Sequence, residues 1–203
     1  MAKQTKQITS NHGIYIQTFY QNNGKYEGEY TEHWAEGDKA IKTKGQYENG
    51  KKTGLWEYGN KYGNKEKEET FANDKLEGKQ TYYDGKDVSK YYYYKNDVKD
   101  GEYAIYRSNN VLLEKGTYVN NRVEGLRTYY YPNGKPKTED IIPHNPKGER
   151  IEREYSQTGA ILLERRYENG LQVGEKQYSE DGKLKRVLQR NEAGKLAEVE
   201  TNN

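Results

Sequence analysis

The stretch Tyr47-Glu48-Asn49-Gly50-Lys51-Lys52-Thr53-Gly54-Leu55-Trp56 decides the fold, because its parts recur along the chain. A glycine preceding a strand-like run returns at Gly28, Gly54, Gly78, Gly101, Gly125, Gly148 and Gly174. Seven residues before the glycine stand Tyr47, Phe71, Tyr94, Tyr118, Ile141 and Tyr167. Five residues before it stand Asn23, Asn49, Asn73, Asn96, Asn120 and Asn169, with Pro143 breaking the column. A fixed period of this kind is the signature of a repeat architecture, and the spacing gives about seven units of roughly 24 residues.

A second turn falls between successive markers, as in Pro132-Asn133-Gly134-Lys135, Glu180-Asp181-Gly182-Lys183, Tyr83-Asp84-Gly85-Lys86 and Gln157-Thr158-Gly159. Asn-Gly and Asp-Gly accept the positive φ of tight hairpin turns, so each unit reads as strand, turn, strand, turn. Between turns the side chains alternate with the period of a strand: Tyr103 with Ile105, Trp56 with Tyr58, Tyr129 with Tyr131. Ile14, Ile16, Thr18 and Tyr20 make an opening strand, and Lys183 to Arg190 and Lys195 to Glu200 make polar closing strands. The expectation is one all-β domain over residues 1–203, an elongated single layer of antiparallel hairpins, with an N-terminal cap at 1–27 and a C-terminal cap at 183–203. No helix is expected.

Composition agrees with a thin sheet. Leu, Ile, Val and Phe supply only about 15% of the 203 residues, which on its own would suggest disorder. Yet 22 tyrosines and a net charge of +2 are not the low-aromatic, highly charged make-up of a disordered chain. Tyrosine takes the place of aliphatic side chains, packing its ring and leaving its hydroxyl wet.

The units Tyr47–Trp56 and Tyr118-Val-Asn-Asn-Arg-Val-Glu-Gly-Leu-Arg127 resemble the MORN repeat in its bacterial variant form, over about residues 13 to 200. The resemblance implies twisted, single-layered hairpin sheets. It further implies kinship with antitoxin or immunity partners of secreted toxins (the YwqK type), which bind a toxin and catalyse nothing. The chain departs from the pattern where Gln80, Arg127, Arg150 and Lys176 replace the aromatic two residues after the glycine. Tyr82 and Tyr129 restore a ring two residues later in the third and fifth units. The last two units gain less, which sets the C-terminal third apart.

No catalytic or metal-binding residues are assigned. His12, His33 and His144 share no ligand spacing, and their default reading is solvated loop histidine. The mixed Glu/Lys/Arg strands, such as Glu149 to Glu154 and Lys65 to Glu69, read as outward faces. The regularly spaced glycines sit in turns rather than at the strand-to-helix junction of a phosphate loop. No cofactor is expected and the chain reads as non-enzymatic.

The balance of 34 basic and 32 acidic residues gives no footprint for nucleic acid, and no Lys/Arg cluster attracts a membrane surface. The absence of Cys and the polar stretch Met1 to His12 fit a cytoplasmic location; an exported or periplasmic one is the alternative if a signal is removed. What remains is binding through tyrosine and tryptophan, the residues that dominate interface hot spots. The expected face lies two, four and six residues after each glycine: Tyr30, Trp56, Tyr58, Tyr82, Tyr103, Tyr129 and Tyr131. The expected partner is a protein, in the sharper reading a toxin. A scaffold at a membrane, a glycan-binding surface, and a homodimer through the sheet edges are the alternatives.

Overall fold

The computed structural model describes residues 2–10, 13–35 and 40–199; His12 and Glu200 lie outside them. The chain is all-β. Among the described residues the only helical element is the short 3-10 turn Ser108–Asn110. It divides into two compact units, Met1–Gly101 with Ser108–Asn110, and Glu102–Arg107 with Val111–Asn203.

The first unit holds β1 (Ala2–Ser10), β2 (Gly13–Asn22), β3 (Lys25–Tyr26), β4 (Gly28–Trp34), β5 (Ile41–Glu48), β6 (Lys51–Gly59), β7 (Lys65–Ala72), β8 (Lys75–Asp84) and β9 (Asp87–Lys95). The boundary falls inside β10 (Val98–Arg107). The second unit continues with β11 (Val111–Val119), β12 (Arg122–Tyr130), β13 (Pro136–Ile142), β14 (Arg150–Tyr155), β15 (Ile161–Glu168), β16 (Leu171–Tyr178), β17 (Leu184–Arg190) and β18 (Leu196–Glu198). Within each unit successive strands pair antiparallel. Strand β1 lies in the polar stretch that carries no hydrophobic alternation, and it pairs with β2 from Ala2↔Gln21 to Ser10↔Gly13.

The asparagine column is the first of two turn types. Asn23-Gly24, Asn49-Gly50, Asn73-Asp74, Asn96-Asp97, Asn120-Asn121 and Asn169-Gly170 all have positive φ at both residues, the requirement of a type I′ hairpin turn whose twist matches the strands. Asn and Asp tolerate this region better than other non-glycine residues. Within the first unit these turns are tied to one another. Asp74 Oδ1 accepts from Lys52 N at 2.8 Å, and Asp97 Oδ1 accepts from Leu76 N at 2.7 Å. Asp74 N and Asp97 N donate to the carbonyls of the same two residues, at 3.1 and 3.0 Å. The second turn type places one glycine at positive φ, as at Gly134, Gly159 and Gly182.

The marker glycine has its own role. Gln46 opposes Thr53, but the next pair is Lys44 with Glu57, so β6 carries two more residues than β5 across this step. Gly54, at φ 65°, starts that bulge and leaves its neighbour Leu55 exposed. The bulge turns Trp56 onto the core face. The same two-residue excess occurs between β7 and β8 and between β11 and β12. In the last repeat Tyr167 opposes Gln172 and Arg166 opposes Gly174, an excess of only one residue. A one-residue change of register moves every later side chain to the opposite face. Glu175 therefore pairs with Arg165 while Lys176 pairs with Glu164 on the other side. Gly148 and Gly174 also lack the positive φ of the earlier markers. This is the physical content of the sequence departures in the C-terminal third.

Candidate binding face

In the first unit the pairings put Tyr30, Gly45, Trp56, Glu69 and Gln80 on one face. Gly45 leaves room for a ring: a Cβ there would lie 2.2 Å from Cδ2 of Trp56. The indole fills that space and is 1% exposed, the most buried large side chain described. Around it pack Tyr30 at 5.6 Å, Tyr47 at 5.0 Å and Phe71 at 6.3 Å between ring centroids. Edge-to-face and tilted contacts of this kind suit the ring quadrupoles. Lys52 Nζ sits 4.3 Å from the Trp56 ring centre and donates to Tyr58 Oη at 3.3 Å; burial lowers its pKa.

The predicted face residues thus fall into two groups. Tyr30, Trp56 and Tyr103 are 7%, 1% and 2% exposed and form the cores of their units. Tyr103 lies over Gly116 as Trp56 lies over Gly45, and its hydroxyl donates to Glu114 at 2.6 Å. Tyr58, Tyr82, Tyr129 and Tyr131 are half-buried and have ring surface left to offer. The pairings bring Tyr30, Trp56, Tyr58 and Tyr82 to one face of the first unit. Tyr131 lies just past the end of β12 and donates to the Tyr155 carbonyl at 2.8 Å.

Acidic groups under these rings are fully engaged. Glu32 accepts from Tyr30 at 2.8 Å and from Lys42 at 2.7 Å. Glu69 accepts from Gln80 at 2.6 Å and pairs with Lys67 at 2.8 Å. Burial alone would raise both carboxyls, but the ammonium and hydroxyl or amide donors outweigh it and hold them below the ordinary glutamate range. Glu68 and Glu175 are lowered in the same way. Burial, together with the adjacent Glu68, pushes the Tyr83 phenol up to about 12.

The acid side of the stability profile follows. A folded-state pKa below the unfolded one means the ionised form is favoured by folding, so the contribution is present above the unfolded value. It is lost as the pH falls through about 4.3, the ordinary glutamate value, towards the lower folded values. The urea midpoint is expected to hold steady from pH 7 to about 5 and to fall below about 4.3. Glu69→Gln is expected to make that fall shallower; an unchanged slope would show that Glu69 does not contribute.

In the second unit charge replaces rings. Asp140, 6% exposed, accepts from Arg127 Nη2 at 2.7 Å and from Arg150 Nε and Nη2 at 2.7 and 3.0 Å. Glu152 opposes Asp140 and Arg165, and Arg165 opposes Glu175. Arg127, Asp140, Arg150 and Glu152, with Tyr129, Thr138 and Glu154, border a pocket of about 190 Å³. Two further pockets of the same volume lie against Gly174 and against Gly59. Among the described residues no group of three or more His, Asp or Glu side chains is placed to hold a metal ion. Among the described residues no helix is long and apolar enough to cross a membrane.

No protein-family model matches the sequence, and no curated protein matches it.

The part of the face that sequence reasoning missed is lysine. Lys67, Lys90 and Lys99 lie 4.4, 4.8 and 3.9 Å from the ring centres of Tyr58, Tyr82 and Tyr92. The only sequence signal was the frequency of Lys near Tyr; which lysine meets which ring depends on register.

Proposed function

We propose that the chain is a non-enzymatic protein-binding repeat module that engages its partner through the half-buried tyrosines and lysines of the first unit. The observation that carries this reading is the form of that surface. It is a sheet face with rings and cations spread over several strands, and the pockets, at about 190 Å³, are smaller than the roughly 300–1,000 Å³ of small-molecule sites. Tyrosine gives large contact area at small entropic cost, and a broad face uses it best against another macromolecule. The sharper reading, that the partner is a toxin neutralised by direct binding, rests on the resemblance of the repeat to the bacterial MORN variant.

The test is an affinity pull-down of the tagged protein from its source cells, followed by mass spectrometry. The expected result is one stoichiometric protein whose activity falls on binding. Recovery of no protein would overturn the reading and leave a glycan or lipid surface, which glycan arrays and liposome co-sedimentation resolve.

A further inference from the structure

Four strands of the first unit contribute one residue each to a row across the sheet. Tyr58 opposes Lys67, Lys67 opposes Tyr82, and Tyr82 opposes Lys90. Aromatic and cationic side chains therefore alternate from β6 to β9, and all four are half-buried. Beside the end of the row Tyr92 shares the face and carries Lys99 over its ring.

The charge is unequal along the row. Lys67 is balanced by Glu69 at 2.8 Å. Lys90 forms no ion pair among the described residues, and its charge, after burial, lowers the pKa of nearby Lys99. The β9 end is therefore positive and complements an anionic occupant.

The face also restricts the backbone of that occupant. Strand N–H and C=O groups lie in the plane of the sheet and are spent on neighbouring strands, so a segment lying on the face receives no main-chain hydrogen bonds from it. A polyproline II segment needs none, since its backbone stays solvated, and it seats prolines on aromatic rings. The spacing agrees. Adjacent strands are about 4.8 Å apart, which puts Tyr58 and Tyr82 about 9.6 Å apart. One polyproline turn of three residues advances about 9.3 Å, whereas two turns of an α-helix advance about 10.8 Å.

We infer that the row Tyr58–Lys67–Tyr82–Lys90 seats an acidic polyproline II segment of the partner, running across the strands, with prolines against the exposed parts of the two tyrosines and a carboxylate reaching Lys90. This rests on the protein-binding reading and names the chemistry of what is bound.

The probe is a synthetic peptide of tandem Pro-Pro-Glu triplets, titrated into the full chain by calorimetry at low ionic strength. Saturable binding is expected, weakened about tenfold (1.4 kcal/mol) by Lys90→Glu and by Tyr82→Ala. Lys90→Gln, which keeps the stem, is expected to fall between wild type and Lys90→Glu, and unchanged urea midpoints establish that the variants fold. Tandem Pro-Pro-Lys is expected not to bind. Absence of Pro-Pro-Glu binding, equal binding by the folded Lys90→Glu variant, or tighter binding of a helical acidic peptide would each overturn the inference. A pull-down partner retained in full by the folded Lys90→Glu variant would overturn the row as the seat while leaving the protein-binding reading intact.

Discussion

Trp56→Ala is expected to remove about 3–5 kcal/mol of stability, a large share of the roughly 5–15 kcal/mol that a domain possesses. The first unit has little aliphatic core to compensate. Its buried cluster is Phe19, Tyr30 and Trp56, with Tyr26, Tyr47, Tyr58 and Phe71 packed around it. Truncating the indole opens a void against Gly45, where there is no side chain to collapse into it. The reciprocal change probes the same gap. Gly45→Ala would place a methyl 2.2 Å from the indole and is expected to cost about 1–3 kcal/mol by overpacking. In the Trp56→Ala background the same methyl has room, so Gly45→Ala should there be close to neutral or mildly stabilising. Urea denaturation of the four members of the cycle measures this coupling; costs that simply add would mean that the ring does not occupy the glycine gap.

Asp140→Ala is expected to cost about 3 kcal/mol, at the lower end of what breaking a buried ion pair costs. The carboxylate is buried, but Arg150 keeps 39% of its side chain exposed and water screens part of the loss. Removing the acid leaves Arg127 and Arg150 facing each other without their shared acceptor. Asp140→Asn keeps an acceptor and should cost less. Asp140→Leu combined with Arg127→Met removes the buried charge together with one of its two partners and, with Arg150 left to Glu152, should recover part of the loss. Melting curves that place Asp140→Ala within about 0.5 kcal/mol of wild type, the range of an ordinary surface change, would rule out a structural part for this cluster.

The repeat was legible in the sequence because its columns answer to backbone geometry. Asn at the first turn position, and glycine at Gly28, Gly54, Gly78, Gly101 and Gly125, occupy positive φ, where most side chains are excluded. Strand β1 was not legible, since pairing alone, without a buried face, leaves no pattern in Ala2–Ser10. The candidate face was legible only in outline. Spacing from the glycine named Tyr30, Trp56, Tyr58 and Tyr82, which share one face of the first unit, but it did not separate those that fill the core, such as Trp56 above Gly45, from those that remain accessible, such as Tyr82. That separation depends on what stands opposite each ring. Opposition in turn depends on the bulge, whose excess of two residues or one leaves no mark in the spacing. Gly54 and Gly174 stand seven residues after their tyrosines alike, yet Trp56 shares the face of Tyr47 while Lys176 takes the face opposite Tyr167. The alternation of Tyr58, Lys67, Tyr82 and Lys90 was hidden for the same reason.

The hooks that Asp74 and Asp97 make to Lys52 and Leu76 reach back from each repeat to the one before it, and they ask only for a main-chain N–H and C=O. A duplicated or deleted repeat in this segment therefore meets a neighbour offering the same edge, whatever its side chains. Gene-level changes in copy number can add or remove a tyrosine–lysine pair without redesigning a junction. The length of the face is then set in whole repeats.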